Sequence, residues 1–281
     1  MKLSDQWLRE WVDPRLDAKA LSERLTLAGL EVANLQPALP PFTDVVVGAV
    51  ATVTPHPQSS RLTVCEVDIG KRKVRVVCGA PNVAPGLRAP LALIGATLAN
   101  GKAIERVAIQ GVESEGMLCS AAELGLSDDA SGLLVLDAKA RPGIPLAKYL
   151  GENDVVYEID LTPNRGDCLS VVGIAREVAV LTGAKLKAPR PARVRVGTRD
   201  RRSVRLRAAA DCPRYTGRVI RNIRNDAHTP VWMLERLRRA GVRAIHPVVD
   251  IMNYVMLERG QPMHAFDLDK LEGGIGVRPA V

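Results

Sequence analysis

VVVGAV (Val45–Val50), RLTVCEVDIG (Arg61–Gly70) and KVRVVC (Lys73–Cys78) are the segments on which the fold turns. In the second, Thr63, Cys65, Val67 and Ile69 alternate with Leu62, Val64, Glu66 and Asp68, the period of a half-buried strand. In the third, Val74, Val76 and Cys78 alternate with Arg75, Val77 and Gly79. His56-Pro57, Asp68-Ile69-Gly70 and Ala80-Pro81-Asn82 break the chain between them. Several short strands so punctuated predict a small closed or part-closed barrel across Val45–Leu136. The flanking segments have helical periodicity, so a β module interrupts something else.

Toward the N-terminus, Met1–Val12 is predicted as one amphipathic helix, with Ser4 as cap and Trp7, Leu8, Trp11 and Val12 on one face. The two tryptophans are read as core or interface anchors. Asp17 is predicted to cap a second helix that buries Leu21, Leu25 and Leu27 and stops at Gly29. Pro37, Pro40 and Pro41 are expected to form a stiff linker into the β module.

Toward the C-terminus, Gly111–Leu126 reads as an exposed loop with Glu113 and Glu115 around Ser114, a turn at Gly116 and a short helix through Ala121–Leu124. The two glutamates are not expected to converge as an acid/base pair. Val155–Leu161 is a predicted strand and Leu169–Gly183 a helix capped by Asp167 or Ser170. The loop Thr162–Asp167 between them either holds an anion at that helix start or is fixed by Arg165 pairing with Asp160 or Asp167. Lys185–Arg202 is Pro-rich, basic and without period, a linker. Strands are predicted at Ser203–Ala208 and Arg214–Asn222, and a helix at Thr229–Ala240 with Arg236, Arg238 and Arg239 pointing outward. Ile275–Val281 resembles a strand just begun, with no partner following it, so the last domain is expected to continue in a longer polypeptide.

Composition bounds the function. Of 281 residues, 47% are hydrophobic and 25% charged, the values of an ordinary globular protein. Aromatics are only 3%, so cores fall to Val, Leu, Ile and Ala. No apolar run approaches the roughly 18 residues that span a bilayer, and charges interrupt the first 13 residues before a signal-peptide core forms. The five cysteines are scattered with no Cys-x-x-Cys pair, which predicts reduced thiols in the cytoplasm, no zinc site and no disulfide framework. The net charge of +8 is uneven. Lys185–Arg243 carries 18 basic residues against four acids, or +14, and the remaining 21 basic and 27 acidic residues give −6. That sector suits a polyanion or acidic partner, or is simply a solvated arginine-rich surface. Within the β module, Arg61, Lys71, Arg72, Lys73 and Arg75 are candidate RNA-backbone contacts, or else solubilising charges. The segment has no aromatic stacking platform, which argues against specific single-strand recognition.

Four blocks in order carry a resemblance: HP followed by RLTVCEVDIG and VCGAPNV, then GVESEGMLCSAAELGL, LTPNRGDCLSVVGIAREVAVLTG and VVDIMNYVMLERGQPMHAFD. Over nearly all of its length the chain resembles the N-terminal part of bacterial phenylalanyl-tRNA synthetase β subunits. The resemblance implies an α+β, multidomain chain. An OB-fold barrel of the tRNA-binding type (41–150) would be inserted into a small helical and mixed domain (1–40 plus 151–193). Residues 194–281 would begin an α+β editing module. It implies a subunit of a class II phenylalanine–tRNA ligase, an α2β2 enzyme using ATP, Mg2+, phenylalanine and tRNA, in which aminoacylation belongs to the α subunit. This segment would supply scaffold, tRNA contacts and part of the site that hydrolyses mischarged Tyr-tRNA, and would bind neither ATP nor metal itself. By position, His264 matches an editing-pocket histidine, Asn253 a pocket-lining polar residue, and the backbone near Gln261 a recognition segment. Threonine is expected before that asparagine; here it is Met252, so the polar detail of the pocket differs. Two other readings stand beside this one: a non-enzymatic OB-fold tRNA-binding protein, and an interaction module built on the two tryptophans and the basic sector.

Overall fold

In the computed structural model, which describes residues 1–189, 191–224 and 226–280, the first residues are extended. Strand β1 (Lys2–Ser4) turns directly into helix α1 (Asp5–Trp11), with Ser4 Oγ accepting from the Trp7 amide at 3.1 Å. The single helix expected over Met1–Val12 therefore begins only after Ser4, because Leu3 is buried and its strand pairs in a sheet. Helix α2 (Ala18–Leu27) is capped by Asp17, which accepts from the Ala20 amide at 2.8 Å. It buries Leu21 and Leu25, while Leu27 stands in solvent, contrary to expectation. Strand β2 (Glu31–Pro37) follows, so Pro37 ends an edge strand rather than opening a linker, a place where its missing N–H costs no ladder bond.

The chain then enters a run of strands: β3 (Val45–His56), β4 (Ser59–Asp68), β5 (Lys73–Cys78), β6 (Arg88–Leu93), β7 (Val107–Ile109), β8 (Val112–Ser114) and β9 (Gly116–Leu118). Five of them form one antiparallel sheet in the order β5-β4-β3-β6-β9. Its edges curl toward each other. The Glu115 amide donates to the Arg75 carbonyl at 2.8 Å and the Val77 amide to Ser114 Oγ at 3.0 Å, so the sheet is a nearly closed barrel. Val50, Cys65, Val67, Val74, Val76, Ala89 and Leu91 fill it, as their alternation required. Gly48 lets the strands approach: a Cβ there would stand 2.7 Å from Val67 Cγ1 and 3.2 Å from Leu91 Cβ. Residues 121–125 form a turn and not the predicted helix. Ser120 and Glu123 close it on each other, and Gly125 then takes a left-handed φ of +67°.

Helix α3 (Leu146–Leu150) leads out of the barrel into β10 (Val155–Asp160), which pairs antiparallel with both β1 and β2. A strand that follows the barrel thus lies between two that precede it. Helix α4 (Val171–Thr182) is capped by Ser170, the second of the two predicted candidates, and ends at left-handed Gly183. Helices α1, α2 and α4 cover this small sheet, with Leu3, Trp7, Leu8, Trp11, Leu25, Tyr157, Ile159, Ile174 and Val178 all buried in one core.

Beyond it, strand β11 (Val204–Leu206), helices α5 (Val231–Arg239) and α6 (Pro247–Arg259), and strand β12 (Ile275–Val277) are the regular elements among the described residues. Arg214–Asn222 is irregular where a strand was expected; Gly217 interrupts it and Asn222 turns with φ +58°. The β12 strand does have a partner, but an earlier one: it pairs parallel with β11, Arg205 opposite Gly276. Asp250 is buried and ties the approaches to both helices, accepting from Thr229 Oγ1 at 2.5 Å and from the Ile245 amide at 2.9 Å.

The two helices lie against the N-terminal core. Tyr254 stacks on Trp7 at 5.0 Å and meets Trp232 edge-on at 5.5 Å. The Arg236 guanidinium sits 5.3 Å from both tryptophan rings, bonds the Tyr254 hydroxyl at 2.8 Å and pairs with Glu10. Arg259 lies 4.5 Å above Trp11. The tryptophans are therefore anchors, as read from sequence, but what they anchor is a helix pair more than 200 residues away. Arg239, predicted to face outward, is buried. Its Nη1 pairs with Asp154 Oδ2 at 2.5 Å, and Nη2 reaches Glu235 at 3.3 Å and the Leu150 carbonyl. A buried carboxylate 85 residues away in sequence outweighs the helical pattern.

Candidate functional site

Four groups of side chains were candidates for chemistry. The barrel cations come first. Lys71, Arg72, Lys73 and Arg75 lie in and after the β4–β5 turn, all exposed. Register sets Lys73 opposite Asp68 and Arg75 opposite Glu66, and Lys73 Nζ stands 3.7 Å from Glu66. Carboxylates thus interleave with this cluster. Arg61 is exposed too, but sits near the far end of β4, about 23 Å away along the strand at 3.3 Å per residue. The five residues therefore form a cluster of four and a separate Arg61. With their stems in solvent, each is worth no more than an ordinary surface charge until a polyanion collects several of them.

Glu113 and Glu115, expected not to converge, do converge, on a cation. Arg106 Nη1 is 3.7 Å from Glu113 and Nη2 is 3.3 Å from Glu115. The two carboxylates share one guanidinium, so the trio is a surface ion-pair cluster.

In the loop before α4, Arg165 pairs with Asp167 through both Nε and Nη2 at 3.1 Å, and not with Asp160. The same Nη2 lies 2.9 Å from Cys168 Sγ and 3.0 Å from Glu177. Hydrogen bonding to Arg165 holds Asp167 below the usual carboxylate range, while burial pushes the Cys168 thiol up to about 11. Asp167, Cys168 and Glu177 are the one cluster among the described residues whose ligand atoms are close enough to share a metal ion. A protein cation already occupies their centre and the thiol is held protonated, so the donor set suits a guanidinium and not a metal.

The C-terminal candidates are least assembled. Asn253 lies half-buried within α6, three residues after Asp250. Gln261 donates to the Pro262 carbonyl at 3.1 Å. His264 is exposed, 6.3 Å from the Phe266 ring. Among the described residues no hydrogen bond joins the three. The turn at Leu268–Lys270 is capped by Asp267, which accepts from the Asp269 amide at 3.2 Å. A general base needs a partner that orients it, and His264 has no hydrogen-bond partner among the described residues. Two open clefts lie elsewhere, one between β2 and α5 beside Arg238 and Arg239, the other at Thr26–Glu31 and Asp160–Thr162.

The residues that sequence reasoning missed are Asp154 and Arg239. Their separation of 85 residues hides the contact, and neither stands in a recognisable pattern.

Residues 45–145 match the family model described as "Putative tRNA binding domain", and residues 211–281 match the model described as the B3/4 domain. The chain is 54% identical over 281 residues to the phenylalanine–tRNA ligase beta subunit of Nitrosococcus oceani, covering 99% of this chain and 35% of that one. It is 52% identical over 279 residues to the corresponding subunit of Legionella pneumophila strain Lens, with the same coverage. The chain thus spans about a third of the length of the curated relatives it matches. Among solved structures, a MetRS related protein from Pyrococcus horikoshii is similar at 19% identity and a TM-score of 0.27, over 36% of this chain and 85% of that one, a likeness too slight to build on. No helix among the described residues is long and apolar enough to cross a membrane.

Proposed function

We propose that the chain is the N-terminal part of a phenylalanine–tRNA ligase β subunit and works as a segment of a class II synthetase that attaches phenylalanine to its tRNA. The observation that carries this reading is the end-to-end identity of 54% over 281 residues. In this reading the enzyme is a cytoplasmic α2β2 assembly. The α subunit holds ATP, Mg2+ and phenylalanine and makes the ester bond. Among the described residues of this chain, the cluster of Asp167, Cys168 and Glu177 is engaged by Arg165, and the reading places no step on it.

The chain would serve in three ways. Residues 1–40 with 151–193 form a scaffold domain, the OB-type barrel at 41–150 is inserted in it, and residues 194–281 begin an editing module. The cluster Lys71, Arg72, Lys73 and Arg75, with Arg61 apart, contacts tRNA backbone. In the editing module, water attacks the carbonyl carbon of a tyrosyl ester, the bond to the ribose oxygen breaks, and tyrosine leaves the tRNA. His264 orients the ester or the water, Asn253 offers a polar group to the tyrosyl hydroxyl or terminal adenosine, and the backbone at Gln261 lines the pocket. Editing is needed because an apolar phenylalanine pocket rejects an added hydroxyl by only about a hundredfold.

The test uses the longer β polypeptide co-purified with its α subunit. Phenylalanine-dependent charging is expected, and its absence from the assembled complex would leave the barrel as a non-enzymatic tRNA binder. His264→Ala is expected to slow deacylation of Tyr-tRNA and spare charging with phenylalanine; unchanged deacylation removes His264 from the reaction.

A further inference from the structure

We propose that residues 191–224 present an arginine face that binds the phosphate backbone of RNA without reading its sequence, and that this face, more than the barrel, supplies the chain's electrostatic hold on RNA. The stretch holds eleven arginines against Asp200 and Asp211, and all eleven are exposed. Arg221 pairs with Asp200 and Arg224 stands 3.7 Å from Asp226. The other nine (eleven less two) have no ion pair among the described residues. The barrel cluster differs, since Glu66 and Asp68 lie opposite its cations.

Register gives Arg205 and Arg207 a common side. On β11, Val204 and Leu206 are half-buried and lie opposite Ile275 and Val277 of β12, which makes one apolar face. Arg205 and Arg207 point to the other side, and the residue opposite Arg205 is Gly276, so no neighbouring side chain covers that guanidinium. Arg193, Val194, Arg195 and Val196 repeat the alternation. Same-side arginines two residues apart on a strand are about 6.6 Å apart, on the scale of neighbouring phosphates along one strand of nucleic acid. Val194 and Val196 stand in solvent beside Arg193 and Arg195, so the one apolar face opposite arginines is that of β11 and β12. Arginine also matches phosphate oxygens with two parallel N–H bonds.

An acidic protein is the weaker fit. Protein interfaces draw their energy from buried aromatic anchors, and residues 191–224 hold a single aromatic residue, Tyr215. Phosphate binding needs no such anchor, because it is driven by release of counterions. The same lack of stacking groups means that the face does not discriminate between bases.

Only the identity of the RNA as tRNA rests on the function proposed above. The experiment measures binding of tRNA and of an unrelated hairpin RNA of equal length to the 281-residue chain across salt concentrations. Three proteins are compared: wild type, a quadruple variant with Arg193, Arg195, Arg205 and Arg207 each changed to Gln, and a barrel variant with Arg61, Lys71, Arg72, Lys73 and Arg75 changed to Gln. Each lost phosphate contact lowers the salt slope by about 0.9, so the quadruple variant's slope falls by about 3 to 4, and its affinity loss on a fourfold rise in salt becomes about a hundredfold smaller. The barrel variant moves the slope less, and both RNAs bind alike. Arg193→Gln and Arg195→Gln singly lie outside regular structure and report the same loss of about 0.9 each if the quadruple variant does not fold. An unchanged slope in the arginine variants, a larger fall in the barrel variant, or tighter binding of polyglutamate than of RNA overturns the proposal. Full hairpin binding together with no charging by the assembled complex would instead count against the synthetase reading and leave this face standing.

Discussion

Arg239→Met is expected to cost about 3–5 kcal/mol, several times what an exposed ion pair is worth. The Asp154 side chain is 0% exposed and that of Arg239 6%, so removing the guanidinium strands a carboxylate that water cannot reach. Asp154 keeps three donors: Ser4 Oγ at 2.6 Å, the Gln6 amide at 2.9 Å and the Val155 amide at 3.0 Å. It loses the one cation paired with it among the described residues. The Leu150 carbonyl and Glu235 lose a donor at the same time. At a urea slope near 2 kcal/mol per molar, the loss is a midpoint drop of about 1.5–2.5 M in the transition reported by tryptophan fluorescence. Arg106→Ala serves as the exposed control, since its side chain is 55% exposed, and should cost no more than about 1 kcal/mol. The double variant Asp154→Asn with Arg239→Met should recover most of the loss. The pair is not perfectly compensated even in the native chain, because Arg239 Nε is buried with no partner among the described residues. Replacing both charges should therefore lie close to neutral, as it does for other buried pairs. A drop in Arg239→Met no larger than in Arg106→Ala would refute the reasoning, as would a double variant as unstable as the sum of the singles.

Gly143→Ala should unlatch the barrel from the segment that seals it. Gly143 has φ +80° and its amide donates to the Val47 carbonyl at 2.8 Å, while an added Cβ would stand 2.2 Å from the Ile69 carbonyl oxygen. The backbone alone costs about 1–3 kcal/mol, and an unchanged melting temperature would argue against that latch. Burial, then a hydrogen bond to Asp137, pushes Tyr149 up to about 12, and burial with Asp5 also raises Tyr157. The fold therefore holds these phenolic protons more tightly than the unfolded chain. Their contribution is complete below the ordinary tyrosine value near 10 and fades as pH rises from about 10 toward 12. Tyr149→Phe should flatten the fall of the urea midpoint across that window, and an unaltered alkaline slope counts against it. Burial pushes the Cys119 thiol up to about 12, so iodoacetamide at neutral pH should modify half-exposed Cys212 long before Cys119; equal labelling rates in the native chain would contradict the buried position.

The chain by itself determined what depends on local pattern. The period-2 alternation in Arg61–Gly70 and Lys73–Cys78 names the barrel-filling residues, because a strand's faces are set two residues at a time. Asp17, Ser170, Gly29 and Gly183 mark helix ends, because a cap needs only its own few neighbours. The order of four motif blocks pointed to the family that the end-to-end identity supports. Tertiary structure alone decided what depends on distant partners. Lys2–Ser4 is a strand because β10 lies beside it, and Arg239 turns inward because Asp154 waits there. Glu113 and Glu115 meet because Arg106 sits between them, while His264, Asn253 and Gln261 share a motif neighbourhood yet no hydrogen bond among the described residues. Nearness along a chain fixes backbone pattern within a few residues. The convergence of side chains is fixed by packing, which brings together residues that no local period connects.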